Sequence, residues 1–213
     1  MLALALVAHL ALAQAGDGPT VGAEPAVPSI WSAKPLEGGS VGAAWAGFAS
    51  LGIAYAQGVT DVDDLGIQLD LDWATTELRL SSLYRRPLGT LGGWDLGARI
   101  TAGWYAGFGS TWVEDGNRSD RGIDVAPAAV ISHPLAGGEL SVTAELPFTF
   151  TLRRNGGVLL RPQAWVGYEV GLWSDVALGA RAMVGWRKGL GDAPLPEPAA
   201  QLAFLVTATY RVF

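Results

Sequence analysis

Glu139-Leu140-Ser141-Val142-Thr143-Ala144-Glu145-Leu146-Pro147-Phe148-Thr149-Phe150-Thr151-Leu152 is the stretch that decides the fold. Its alternate positions Leu140, Val142, Ala144, Leu146, Phe148, Phe150 and Leu152 are apolar without exception. The positions between them, Glu139, Ser141, Thr143, Glu145, Pro147, Thr149 and Thr151, are polar apart from the proline. Successive side chains of a strand point to opposite faces, so this period of two predicts a strand with two unlike faces. Strands of soluble sheets usually run about 5–6 residues. This one is long enough for a tilted crossing of a bilayer, which takes about 9–11.

The same pattern spreads outward. Leu65, Ile67, Leu69, Leu71 and Trp73 oppose Asp64, Gly66, Gln68, Asp70 and Asp72. Leu96, Ala98, Ile100, Ala102 and Trp104 oppose Asp95, Gly97, Arg99, Thr101 and Gly103. No stretch after Gly39 reads as an amphipathic helix, and none is an apolar run long enough for a membrane helix. The chain predicts ten strands, at about 40–48, 50–59, 63–73, 75–86, 93–107, 122–133, 138–152, 158–171, 174–187 and 199–213. Eight or twelve are the neighbouring possibilities. The fold class is all-β: a closed, antiparallel, up-and-down transmembrane barrel. Turns at Thr60–Asp63, Pro87–Gly93, His133–Gly138 and Trp173–Asp175 fall at one end. The connections at Ala74, Gly109–Arg121, Arg153–Gly157 and Lys188–Pro198 fall at the other, and include the two longest. Short turns at one end and long loops at the other are the outer-membrane arrangement.

The face opposite the apolar one gathers the charge. Its acids are Asp64, Asp70, Asp72, Glu77, Asp95, Asp124, Glu139, Glu145 and Glu169. Its bases are Arg79, Arg85, Arg99, Arg153, Arg161, Arg181, Arg187 and Arg211. In a membrane barrel this face lines the lumen, where rows of both signs pair. In a soluble barrel or sandwich it faces water. Gly42, Ala44, Ala46, Gly52, Ala54 and Ala56 are expected to make one wall of the lumen small. Aromatics collect near strand ends: Trp45, Trp73, Trp104, Trp165 and Trp186 toward the loops, Tyr84, Trp94, Trp173 and Tyr210 toward the turns. Two interfacial girdles would produce that distribution. So would the core of a soluble sandwich, and Trp112 in a loop could serve as a sugar-stacking platform.

Composition narrows the classes. The 213 residues carry a net charge of −6, 50% hydrophobic residues, 29 glycines and no cysteine. Disulfide scaffolds and thiolate metal sites are excluded. A nucleic-acid partner is not expected of an acidic chain. Residues 1–15 read as a signal peptide whose apolar core, Leu2–Leu12, is too short to span a bilayer. No Lys or Arg precedes that core. Residues 16–39, with Pro19, Pro25, Pro28 and Pro35, read as an extended or mobile periplasmic linker in which Ile30 and Trp31 could dock. Residues 40–213 make the barrel.

Two segments carry a likeness. Gly58-Val59-Thr60-Asp61-Val62-Asp63-Asp64-Leu65-Gly66 is a strand–turn–strand, and Leu202–Phe213 a final strand ending in phenylalanine. In both, the chain resembles the small outer-membrane β-barrel proteins of Gram-negative bacteria. The resemblance implies an outer-membrane location among lipid and lipopolysaccharide. It also implies recognition of the last strand, through Tyr210 and Phe213, by the barrel assembly machinery. One feature departs from the family pattern. Leu202, Phe204, Val206, Ala208, Tyr210 and Val212 alternate one step out of phase with Phe213.

Catalytic candidates are few. The histidines are His9 and His133, and Ser132-His133 are strand neighbours whose side chains point to opposite faces. Asp115-Gly116-Asn117-Arg118-Ser119-Asp120 has oxygens at alternate positions but not the full calcium-loop pattern. Asp61, Asp63 and Asp64 suit a turn, because Asp bonds its own backbone there. No enzyme activity, metal or cofactor is expected, and the barrel is expected to be a monomer. Three functions remain: a structural or surface-interaction barrel with a largely side-chain-filled lumen, a narrow pore for ions or small solutes, and a soluble barrel binding an apolar ligand. In the first, loops Gly109–Arg121 and Lys188–Pro198 would be the contact surface.

Overall fold

A computed structural model describes residues 29–48, 50–73, 76–108, 121–152, 157–190 and 199–212. Its strands are β1 (Ser40–Gly47), β2 (Ser50–Gly58), β3 (Asp64–Asp72), β4 (Glu77–Leu91), β5 (Trp94–Gly107) and β6 (Arg121–Leu135). They continue with β7 (Gly138–Glu145), β8 (Phe148–Thr151), β9 (Val158–Leu160), β10 (Gln163–Trp173), β11 (Val176–Leu190) and β12 (Ala199–Arg211). No helix occurs among the described residues.

Ten of these strands close an antiparallel ring, β1 to β7 followed by β10, β11 and β12, with β12 returning to β1. Val41 lies opposite Arg211 and Gly47 opposite Leu205 across that seam. The closed ring leaves no sheet edge unpaired. β8 and β9 lie outside it and prolong β7 and β10 beyond Pro147 and Pro162. β8 keeps β7's register against β6, and β9 keeps β10's register against β11. Prolines lack the N–H a continuous ladder needs, which explains both interruptions. The carbonyls around them stay bonded: Arg161 N donates to Pro147 O at 3.0 Å and Trp186 N to Pro162 O at 2.9 Å. The single strand expected over 138–152 is therefore present with one break.

The faces sort themselves without ambiguity. Leu65, Ile67, Leu69, Leu71, Leu80, Ile100, Ile123, Val166, Leu178, Val184, Leu202, Phe204 and Val206 are exposed on the outside. Asp64, Arg85, Arg99, Asp124, Glu139, Glu169 and Arg181 are buried inside. Outward charges on the strands are Arg121 and Lys188 near strand ends and Arg86, which reaches Asp63 in the β2–β3 turn at 3.7 Å.

The first strand corrects one expectation. Ala43 pairs with Ala54, and both are buried in the lumen with Val41 and Trp45. Gly42 pairs with the exposed Tyr55, so Gly42, Ala44 and Ala46 face outward. The expected small row on β1 is thus on the other face, whereas Gly52, Ala54 and Ala56 on β2 face in. Gly52 is required there, because a Cβ at that position would run into the Trp45 ring.

A second correction concerns the segment before β1. Ser29–Gly39, read as part of a mobile linker, is packed inside the barrel at the turn end. Ile30, Trp31, Ala33 and Leu36 are buried there. Ile30, Trp31 and Leu36 form one apolar cluster within the ring with Val41, Ala43, Trp45, Ala54, Ala56, Leu83, Ala177 and Leu205. Residues 1–15 and 16–28 lie outside the described residues, as do Trp112, the 115–120 segment, residues 191–198 and Phe213.

Candidate functional site

The interior falls into two halves, divided by Trp31. On the turn side the N-terminal segment is a plug held by named contacts. Arg85 Nη1 donates to Ser29 O at 2.6 Å and to Ser32 O at 2.9 Å. Arg85 Nε and Nη2 both reach Asp64 Oδ2, at 2.8 and 2.7 Å. Asp64 Oδ1 accepts from Leu36 N at 3.1 Å. One buried ion pair therefore fastens both ends of the segment. Asp64 and Arg85 are cross-strand partners on β3 and β4, which brings them onto the same face at the same height. Ser132 Oγ accepts from Ala33 N at 3.2 Å and lies 3.3 Å from Ser32 Oγ. Lys34 Nζ reaches Glu139 Oε2 at 3.3 Å. A Cβ on Gly97 would stand 3.3 Å from Ala33 Cα and O, so glycine there lets the plug lie against β5. Within the plug, Ser29 Oγ and Ser32 Oγ accept from Trp31 N and Lys34 N, both at 3.0 Å, the local turns that serine favours.

On the loop side of Trp31 lies a chamber of about 280 Å³. Its walls carry Asp70, Asp72, Glu77, Asp124 and Glu145 and, among them, Arg79, Arg99, Arg161 and Arg181. Arg79 Nη2 pairs with Glu77 Oε2 at 2.6 Å and Arg79 Nε with Asp124 Oδ2 at 3.3 Å. Arg161 Nη2 reaches Asp124 Oδ1 at 3.2 Å and Thr149 Oγ1 at 2.9 Å, and Thr149 Oγ1 itself donates to Asp124. Glu145 takes Arg99 Nη2 at 3.4 Å and Gln163 Nε2 at 2.6 Å. These contacts fall into two groups, one around Asp124 and one around Glu145, and charge-assisted bonds of this kind are firm where the partners are hydrogen-bonded.

Aromatics floor the chamber. The Trp31 ring meets Trp45 edge-on at 5.4 Å between centroids. The Arg181 guanidinium lies 4.3 Å from the Trp31 ring centre and 5.6 Å from that of Trp165. Arg99 approaches the Trp31 ring at 5.8 Å. Such stacks favour the cation on each ring face by roughly 0.5–2 kcal/mol.

Of the charged residues read from sequence, Asp64, Asp70, Asp72, Glu77, Arg79, Arg85, Asp95, Arg99, Asp124, Glu139, Glu145, Arg161, Glu169, Arg181, Arg187 and Arg211 stand on the inward face. Glu169 is buried on β10, where it accepts from Thr209 Oγ1 at 3.1 Å. Arg153 lies outside the described residues. The aromatics divide. Trp73, Trp104 and Trp186 are exposed toward the loop end, and Tyr84 and Tyr210 stand outward toward the turn end. Trp94 and Trp173 are half-buried at the turn end. Trp45 and Trp165 are corrections: both point into the lumen and line the chamber. Their strands put them in phase with buried residues, and nearness to a strand end says nothing about face. Phe48 beside Trp73 and Tyr168 over the β6–β7 turn are outward aromatics that the sequence reading did not include.

Of the plug, sequence reasoning finds only the apolar pair Ile30-Trp31 as able to dock, and misses Ser29, Ser32, Ala33, Lys34 and Leu36. Ser132 holds that plug, whereas His133 faces outward, stacked on Trp94 at 4.8 Å with Nδ1 2.8 Å from Gly93 O. Among the described residues no group of three or more His, Asp or Glu is placed to hold a metal. In the β2–β3 turn, the Tyr84 hydroxyl donates to Asp63 Oδ1 at 2.6 Å and holds that carboxyl below its usual pKa, with Thr60 and Arg86 assisting.

Fold and interior together define a class: a closed ten-stranded antiparallel barrel, apolar outside and charged inside, closed at one end by its own N-terminal segment. No known family, characterised protein or solved structure matches the chain.

Proposed function

We propose that the chain is an integral outer-membrane β-barrel of the Gram-negative cell envelope, with a structural or surface-interaction role and a lumen plugged at the turn end. The observation that carries this reading is the outer surface. From Leu65 to Leu71 on β3 and from Leu202 to Val206 on β12, alternate residues facing outward are large, apolar and exposed, Leu202 at 83%. Monomeric soluble proteins rarely expose a continuous apolar patch beyond a few hundred Å². Lipid would cover this one, with Trp73, Trp104 and Trp186 at one interface and Tyr84 and Tyr210 at the other. The soluble alternative needs an apolar interior for its ligand, and the chamber is charged. Boiled and unboiled samples of the envelope protein test the reading on a denaturing gel. Folded migration until heating, in the outer-membrane fraction, is the expected result. Migration independent of heating, with the protein in the soluble periplasm, would overturn it.

A second reading, a narrow conduit, draws on the chamber itself, which reaches from the loop-end rim to Trp31. In this reading Ser29–Leu36 is the closed gate. Planar-bilayer recordings of the intact chain are expected to be silent, and deletion of Ser29–Leu36 to give steady conductance. Arg99→Ala and Arg181→Ala should then alter its ion selectivity. A silent deletion variant that still migrates as a folded barrel rejects the conduit.

A further inference from the structure

We propose that the loop-end chamber binds a small monocarboxylate, its oxygens held by Arg99 and Arg181 beside the Trp31 ring. The charges of the chamber are unevenly matched. Arg79 and Arg161 share Glu77 and Asp124. Arg181, exposed by only 2%, has Glu169 and Glu145 near enough to act on it but no carboxylate within ion-pair distance among the described residues. Its Nη2 reaches Thr143 Oγ1 at 3.4 Å, and its buried Nη1 has no acceptor. Arg99, 6% exposed, has a single long contact to Glu145 at 3.4 Å, and its Nε and Nη1 have no acceptor. The indole Nε1 of Trp31 is buried and lacks one too.

Both guanidinium groups border the Trp31 ring, their carbons 4.3 and 5.8 Å from its centre. All of these nitrogens are donors, and neither side-chain type can accept. The complementary group is an acceptor with negative charge and at least two oxygens. A carboxylate fits, because the guanidinium fork matches its geometry. Size and charge restrict the rest of the molecule. A chamber of about 280 Å³ sits just below the roughly 300 Å³ at which pockets for drug-sized ligands begin. Asp70, Asp72, Glu77, Asp124 and Glu145 line the chamber against its four arginines, so a second carboxylate on the ligand would meet like charge. A short-chain monocarboxylic acid meets both conditions. The site uses inward-facing groups alone, so it stands whether or not the exterior is covered by lipid.

Tryptophan fluorescence of the purified, folded protein in detergent at neutral pH and low salt reads the site through Trp31 and Trp165. Sodium propionate is expected to give a saturable change, and sodium chloride at equal ionic strength none. Succinate should half-saturate at a concentration at least about tenfold higher. Arg181→Gln should weaken propionate by at least about tenfold. Arg181→Lys, which keeps the charge and loses the fork, should fall between the two. Heat-dependent gel migration verifies that each variant is folded. If Arg181→Gln fails that check, Arg181→Lys alone carries the comparison. A propionate response that does not saturate, that matches chloride, or that is unchanged in the folded Arg181 variants overturns the proposal.

Discussion

The two halves of the lumen use similar residues to opposite ends. At the turn end, Asp64 and Arg85 meet at full burial as a close ion pair, and both also bond the backbone of the plug. At the loop end, Arg99 and Arg181 are just as buried and are left with donors unmatched. The difference lies in what fills the space. An eleven-residue segment, Ser29–Gly39, supplies backbone carbonyls and amides to the turn-end charges. No described segment does so for the loop-end ones. A barrel of this width is near the size that side chains alone can fill. Here they fill half of it, with help from the N-terminal segment, and leave a chamber in the rest. A closed seat and a receptive one thus share a single ring of strands.

The comparison breaks most sharply at Arg85. Arg85→Met would leave the Asp64 carboxylate buried without its partner and free the carbonyls of Ser29 and Ser32. Loss of one member of a buried pair costs about 3–5 kcal/mol. Urea unfolding of the detergent-solubilised barrel should record it, and adding Asp64→Leu should recover much of it. An effect below about 1 kcal/mol would mean the plug is not fastened there. Next comes the exterior. Ile67→Arg places a charge near the middle of outward-facing β3, at a cost of about 2–4 kcal/mol if lipid covers that face. Refolding into lipid vesicles measures it, and a neutral outcome there would count against the membrane reading.

Trp31→Ala tests the wall between the halves. It removes a ring packed on Trp45 and on the Arg181 guanidinium. Large-to-small changes of this type cost about 3 kcal/mol or more in closed cores. One side of Trp31 borders the chamber, so a loss nearer 2 kcal/mol is expected by urea unfolding. The loop-end pairs should matter less. Glu77→Gln breaks the half-buried contact to Arg79 at 2.6 Å, and Arg79 keeps Asp124. The expected change is below about 1 kcal/mol.

The smallest effect lies in the β2–β3 turn. Tyr84→Phe removes the hydroxyl that lowers the Asp63 pKa, so that pKa should rise toward the ordinary value, as read by carboxyl NMR. A carboxyl whose folded pKa is depressed stabilises the fold above its unfolded pKa. That contribution is lost as pH falls through the folded value. In the variant the acid-side dependence of stability should therefore flatten slightly. An unmoved Asp63 would mean that Thr60 and Arg86, and not Tyr84, hold it.

Legibility followed contrast between neighbouring residues. On β3, β5 and β7 one face is charged or hydroxylated and the other leucine-rich, so the period of two could be read directly. On β1 both sets are small or apolar, Gly42, Ala44 and Ala46 against Val41, Ala43 and Trp45. The sequence therefore offers no contrast there, and the phase was misassigned. Trp45 and Trp165 lie near strand ends yet face the chamber, and a related reason hides this in the sequence. An aromatic near a strand end has the same local signature whether it faces a lipid interface or a polar chamber.

By itself the sequence determined the strand number to within two, the antiparallel up-and-down order, the ends at which turns and loops fall, and the set of charges that share one face. All of these follow from local periodicity and from chain order. Which face lies inside was decided by closure, which brings Asp64 opposite Arg85 and Asp70 opposite Arg79 within the ring. The plug was also a tertiary decision. Ser29–Gly39 is rich in small and polar residues and has no periodicity of its own. Its order comes from Asp64, Arg85, Gly97, Ser132 and Glu139, which five different strands bring together only when the barrel is closed.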